Sequence, residues 1–504
     1  MKKSFQHVIL IFFSIIFCIT FTTYINSSLL YKNHQKVINF YDIKKLEYII
    51  EPKFEKNSTK LNVDLYIELK NKPNILNMLY LHIPNKFGFA ENLHRDIKNL
   101  NIVESEAIIV HTNEPYTKII KNILTNIIHI NYTVTCSVKN LKNMNGQNDY
   151  YRPILTKNYF HLIGYNFIVF PCWKYENQKR YYTENDNLNI ILKWKNMPTN
   201  WKFANSHGIN NPEQNLFISI SNFIYSIYIA GDFIIKKFTC KNYPVFLVML
   251  GKSSFQYKEF VEIAKKAINT QREFWNDYNF PHFLITILPL GKNHNYGGVS
   301  LLNSSVIFLG EKKELKSIDS IYCINHECFH TWNKGKIANY TLPWFSEGFT
   351  DYYAYNFALN TKLLTFHQYI NIYNKTLYNL YISSFKDEKF PYYLGHVLAH
   401  NWNSKIKNKT NGKFSLDNIM HDIINKSKNN NKKITTKLIN DIIKNYIKEG
   451  INEDIKKYIE KKQTIIPDKN ALGSCYTLNW IKIKKGNKEF DIPQYILKSN
   501  PLIY

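Results

Sequence analysis

Two histidines four residues apart, His326 and His330, stand in the run His326-Glu327-Cys328-Phe329-His330. Side chains at i and i+4 leave one face of a helix a turn apart, so the spacing predicts a helix over about Ser317 to Trp332 with both imidazoles aimed at one point. Glu327 sits beside them, where a carboxylate approaches a metal's open position without ligating it. A third donor is needed, and the next helix, predicted over about Phe345 to Leu359, offers Glu347 within Trp344-Phe345-Ser346-Glu347-Gly348-Phe349-Thr350-Asp351. His326, His330 and Glu347 then form a His2Glu set of the kind that holds one zinc ion per chain. Asp351, one turn further on, falls on the same face and suits the other ring nitrogen of a ligating histidine. With Glu327 as general base, the pattern points to amide hydrolysis by metal-activated water. Taken singly, H-E-x-x-H recurs by chance, and Glu347 and Asp351 would suit surface positions near a helix N-terminus. The two helices read together favour the metal site.

Around this core the hydrophobic pattern changes along the chain. From about residue 35 to 238 it is mostly period two: Leu61, Val63, Leu65, Ile67 and Leu69 alternate with Asn62, Asp64, Tyr66 and Glu68. Ile130, Tyr132, Val134, Cys136 and Val138 repeat the signal, as do Leu188, Ile190, Leu192 and Trp194. Such alternation reads as half-buried antiparallel strand, hence an N-terminal β domain of sandwich type. Over 239–420 the runs Val245 to Leu250, Phe283 to Leu288 and Ser305 to Leu309 read as strands around a helix from about Tyr257 to Tyr278, an α+β unit. Over 421–504 the pattern turns helical. There Asn425 to Lys433 reads as a loop, and Leu438, Ile439, Ile442, Ile443, Tyr446 and Ile447 form a stripe suited to core packing.

The chain of 504 residues carries 65 Lys and Arg against 39 Asp and Glu, a formal charge of +26. Lysines are scattered beside Asn, Ile and Tyr, and Arg, the preferred reader of phosphate and base edges, is rare, so nucleic acid is not expected as a partner. Lys2 and Lys3 precede an apolar run from Val8 to Phe21, and residues 1–30 therefore read as a signal peptide or a retained signal anchor. The expected location is exported, periplasmic or otherwise extracytoplasmic, with the membrane reached through that segment. Beyond it Cys136, Cys172, Cys240, Cys323, Cys328 and Cys475 show no paired spacing and read as buried small hydrophobes.

The stretches His326-Glu-Cys-Phe-His-Thr-Trp-Asn333 and Trp344-Phe-Ser-Glu-Gly-Phe-Thr-Asp-Tyr-Tyr353 resemble the M61 glycyl aminopeptidase family, which belongs to the gluzincins. The resemblance extends to Tyr392-Tyr393-Leu394-Gly395 and to Thr410 through Asp417, and so covers most of the chain. It implies an N-terminal β domain, a thermolysin-like catalytic domain and a helical C-terminal region acting on peptides. It also implies zinc ligands at His326, His330 and Glu347, with Glu327 as base. Related gluzincins use a tyrosine in a Y-x-x-G setting to stabilise the oxyanion, which singles out Tyr392, with Tyr393 as the fallback.

Three departures stand out. The family pattern G-G-L-E-H is replaced by Gly297-Gly298-Val299-Ser300-Leu301, so Ser300 stands where a glutamate would anchor the substrate's α-amino group. Gly297 and Gly298 still let a substrate backbone approach an edge strand. The interval from His330 to Glu347 is short for the family, and a C-terminal PDZ module is not evident. Three readings follow: an M61-like aminopeptidase, a peptidase with no requirement for a free N-terminus, and a non-catalytic zinc-binding scaffold for peptides or proteins.

Overall fold

The computed structural model describes residues 36–498 except 57, 74–76, 104–105, 137–146, 173–174, 177–178, 181–185, 251–256, 291–295, 311–317, 338–341 and 431–433. The segment read as an export signal therefore lies outside the described residues, as does Val138. Among the described residues no helix is long and apolar enough to cross a membrane. The chain forms two compact units, one from the described residues up to Gly231 and one from Asp232 onward.

The first unit is built on β-sheets. Its largest has six strands in the spatial order Glu213–Ser219, Asn187–Trp194, Ile43–Phe54, Thr59–Leu69, Ile127–Val134 and Ile97–Ile102. Leu61, Val63, Leu65, Ile67 and Leu69 are all buried, and the residues between them are half-buried, because successive side chains leave opposite faces of a strand. The sheet is mixed where an antiparallel one was expected. Asn187–Trp194 pairs parallel to Ile43–Phe54, and in a second, five-stranded sheet Lys36–Val37 pairs parallel to Asn77–His82. The long excursions of chain between these partners make parallel pairing available, and alternation within a strand carries no information about direction.

The second unit opens with a five-stranded sheet. Its strands are β1 (Phe233–Cys240), β2 (Tyr243–Leu250), β3 (Phe283–Leu290), β4 (Tyr296–Leu301) and β5 (Ser304–Gly310), in the order β1-β2-β3-β5-β4. The central pairs β2/β3 and β3/β5 are parallel, whereas β1 and β4 lie antiparallel at the edges. Val306 to Leu309 of β5 are buried without interruption, as a strand covered on both faces requires. Helix α1 (Tyr257–Trp275) connects β2 to β3 and buries Phe260, Ile263, Ala264, Ala267 and Ile268 along one stripe.

Helix α2 (Ile318–His330) then runs into a wider π-helical turn over Thr331–Lys336. A second π-helical turn, Trp344–Phe349, leads into α3 (Thr350–Asn360). The sequence pattern predicts these two helices, but a shift from 3.6 to wider turns moves no residue type and is invisible in it. Next come α4 (Phe366–Ile382), opened by a capping box between Thr365 and Gln368, and α5 (Phe390–Lys409). Helix α6 (Leu416–Asn430) crosses residue 420, and its Ile419, Met420, Ile423 and Ile424 share one core with Trp332, Phe345 and Trp402. That core pulls Asn425–Asn430 into the helix, where the Asn/Lys-rich composition had suggested a loop. In α7 (Thr436–Lys444) Ile439, Ile442 and Ile443 are buried, as the stripe requires. The helical tail ends in an antiparallel hairpin, β6 (Tyr476–Lys485) with β7 (Lys488–Leu497), which the helical reading lacked. Its signal is the two-residue turn Gly486-Asn487, with Gly486 at a φ of 59°.

Helix α5 carries two imidazoles into this core. His400 accepts from or donates to the Tyr369 hydroxyl at 3.2 Å, and His396 lies 5.5 Å, centroid to centroid, from the Tyr373 ring. Burial pushes His396 down to about 4 and His400 well below the ordinary 6.5. The unfolded chain takes up protons at both below 6.5, and the folded chain does not until the lower values are reached. Their contribution is thus fully present above pH 6.5 and is lost as pH falls toward about 4. Thermal or denaturant unfolding should show stability dropping across that window, by about 1.4 kcal/mol per pH unit for each imidazole. A flat profile there would contradict the assignment.

Candidate metal centre

His326 Nε2 and His330 Nε2 lie 3.0 Å apart on α2, and Glu347 Oε2 lies 3.3 Å from each. The three groups are buried or nearly so, and among the described residues they are the cluster able to hold a metal ion. Donors about 2.0–2.1 Å from a tetrahedral ion stand about 3.3 Å from one another, so the two nitrogens and one oxygen fit zinc in both spacing and type. The fourth direction is left to water or substrate.

The surrounding side chains fix these donors. His326 Nδ1 lies 2.8 Å from Asp351 Oδ1, which also accepts a 2.6 Å hydrogen bond from the Tyr322 hydroxyl. This orients the imidazole with Nε2 toward the metal position. Thr350 Oγ1 stands 3.5 Å from His330 Nδ1 and donates to the Ser346 carbonyl at 2.7 Å. Asn333 donates to the carbonyls of Phe345 and Ser346 at 3.1 and 3.2 Å and to Thr350 Oγ1 at 3.0 Å. The two π-helical turns are thereby tied together through one buried amide. Lys334 pairs with Glu347 Oε1, leaving Oε2 to face the histidines. Tyr322, Asn333, Thr350 and Lys334 were not singled out by sequence reasoning. Asn333 and Thr350 lie inside the motif stretches already noted, whereas Lys334 resembled any other lysine of a basic chain.

Glycines make room where these elements meet. A Cβ on Gly298 of the edge strand β4 would run into Glu327, standing 2.7 Å from its Oε1. Strand β4 is thus held flat against the proposed base, and Gly297 accepts a hydrogen bond from Cys323 Sγ at 3.3 Å. A Cβ on Gly348 would clash with Gly395, and one on Gly395 with the Trp344 carbonyl. Helix α5 therefore crosses the turn bearing Glu347 at backbone contact. That crossing brings in Tyr392, whose ring stacks on His326 at 6.1 Å and 13° and whose hydroxyl reaches Glu347. Tyr393 is half-buried and feels Asp351 and Asp387. Ser300 pairs in register with Ser305 and, among the described residues, forms no hydrogen bond with the histidines or Glu347.

Burial pushes the Glu327 carboxyl up to about 7 against the opposing pull of His326 and Lys334. For His326 burial works downward, but the Asp351 and Glu347 carboxylates outweigh it and lift the imidazole to about 9. Burial and Lys334 drive His330 down to about 3. Glu347 is held well below the usual range in spite of burial, because His330, His326 and Lys334 surround it. The six cysteines beyond residue 30 are free, four of them buried and Cys475 exposed.

No family model and no curated protein sequence matches the chain. Solved structures do. The fold resembles that of two-domain M1 zinc metallopeptidases, with a β-rich N-terminal unit and a helix-rich second one. An aminopeptidase N family protein from Idiomarina loihiensis superimposes with a TM-score of 0.67 at 15% identity, covering 86% of this chain and 79% of that one. An M1 zinc metallopeptidase mutant from Deinococcus radiodurans gives 0.51 at 11%, covering 84% and 95%. Yeast LTA4 hydrolase gives 0.50 at 14%, covering 85% and 69%.

Two outcomes follow from this geometry. Near pH 7 zinc must displace the proton held by His326, so titration calorimetry in buffers of differing ionisation heat should show about one proton released per ion. Affinity should rise with pH up to about 9, and binding without proton release would contradict the Asp351 contact. Gly395→Ala should separate α5 from the turn carrying Glu347, costing about 3 kcal/mol of stability and most of the bound zinc. Full zinc and unchanged melting in that variant would show that the crossing does not position Glu347.

Proposed function

We propose that the chain is a zinc-dependent metallopeptidase that cleaves peptide bonds with water activated at His326, His330 and Glu347. The observation that carries this reading is the convergence of two imidazole nitrogens and one carboxylate oxygen at tetrahedral spacing, with Glu327 buried next to them. Zinc bound there supplies a Lewis acid that lowers the pKa of its water toward about 7 and polarises the scissile carbonyl. Glu327, buried beside the donors, is placed to accept a proton from water there and to pass it to the departing amine. Burial keeps the Tyr392 hydroxyl neutral, well above its ordinary value, so it can donate to the oxygen that becomes negative in the transition state. Gly297 and Gly298 on β4 leave the edge strand open to pairing with the substrate backbone.

Within this class, aminopeptidase action of the M61 type is supported by the motif resemblance. A peptidase with no need of a free N-terminus is supported by Ser300, which brings no charge where an α-ammonium would be held. Comparing free-amine peptides with their N-acetylated counterparts separates the two, because an amine-anchored enzyme loses the acetylated ones. Peptides in an extracytoplasmic space are the proposed substrates, reached through export directed by residues 1–30.

Glu327→Gln should keep one zinc per chain and lower kcat by about 10³-fold, and Tyr392→Phe by about 10²-fold. Burial raises the Glu327 carboxyl, so wild-type kcat/KM should rise with pH as that group ionises. Equal turnover by wild type and Glu327→Gln would overturn the mechanism while leaving the metal centre standing.

A further inference from the structure

Lys389 precedes α5 directly and is exposed, yet its ammonium is not loose in solvent: Nζ lies 4.2 Å from the centroid of the Tyr392 ring. That ring stacks in turn on His326. One aromatic ring therefore separates a lysine charge from the donor triad.

Glu347 and Asp351, two of the carboxylates around the centre, are already engaged. Glu347 gives Oε2 to the two histidines and Oε1 to Lys334, and Asp351 Oδ1 serves His326 and Tyr322. Strand β4 carries none over Tyr296–Leu301. Beside Lys389 itself, Asp387 Oδ2 is turned onto the backbone N–H of Ser384 at 2.7 Å, and among the described residues no carboxylate forms an ion pair with Lys389. A substrate α-ammonium arriving at Lys389 Nζ meets a like charge. A carboxylate finds a cation whose aliphatic stem and aromatic neighbour hold it in place.

On the peptidase reading above, we propose that Lys389 is a specificity-determining residue that selects peptides bearing a carboxylate beside the scissile bond. That carboxylate is either an acidic side chain or the peptide's own C-terminus. The selection acts on binding, through KM, because Lys389 contacts neither the donors nor Glu327.

The test uses zinc-loaded full-length protein and N-acetylated peptides of one length in three forms: neutral with a C-terminal amide, neutral with a free C-terminal carboxylate, and acidic beside the scissile bond with a C-terminal amide. A free-amine neutral amide is the fourth. At least one carboxylate form should exceed the neutral amide about tenfold in kcat/KM, and the form that does identifies the source of the charge. Lys389→Met should abolish that advantage by raising KM, Lys389→Arg should restore it, and Lys389→Glu should turn preference toward the free amine. The same peptides are titrated onto zinc-loaded Glu327→Gln protein to read binding without turnover. Cleavage with no carboxylate preference, or with a preference that survives Lys389→Met, overturns the inference and leaves the peptidase reading intact. Carboxylate-selective binding that depends on Lys389, in a protein that cleaves none of the four, supports the recognition and overturns the peptidase reading.

Discussion

The backbone contact between Gly348 and Gly395 is the constraint on which the candidate metal centre depends. Neither position has space for a Cβ, so α5 lies directly on the turn that carries Glu347. The same contact sets two things at once. It brings the carboxylate to the histidine pair of α2, and it brings Tyr392 over His326. Asn333 completes the arrangement from the other side by bonding the backbone that the π-helical turn leaves open. Donors drawn from two separate helical segments thus meet because small residues and one buried amide let the segments approach.

Electrostatics follow from that packing. In a site this buried, each charge must find a partner, and the structure shows a chain of them: Tyr322 to Asp351, Asp351 to His326, and Glu347 to Lys334. Glu327 is the exception. Burial outweighs the pull of His326 and Lys334 and raises its carboxyl. The other groups are paired, and the carboxyl that burial raises is the one proposed for proton transfer.

Much of the centre was legible in the sequence because its logic is local. His326 and His330 share a face through helical periodicity, and Glu347 and Asp351 share another through the same spacing. The strands of the first unit were legible through alternation, as at Leu61 to Leu69. What escaped depends on distant partners. The parallel pairing of Asn187–Trp194 with Ile43–Phe54 is a matter of topology, and the π-helical turns are a matter of backbone winding. The helical state of Asn425–Asn430 is imposed by a core that Ile423 and Ile424 enter, against a composition that favours loops. Lys334 and Lys389 were concealed by the abundance of lysine, and only position distinguishes them from the rest.

On the proposed function, one zinc ion is held by two helical histidines and a glutamate brought in from the following segment. Anomalous diffraction at the zinc edge, from crystals of the purified protein, tests it most directly. A single peak is expected about 2.0–2.1 Å from His326 Nε2, His330 Nε2 and Glu347 Oε2 together. A peak coordinated by other residues, or no peak in protein saturated with zinc, would contradict it.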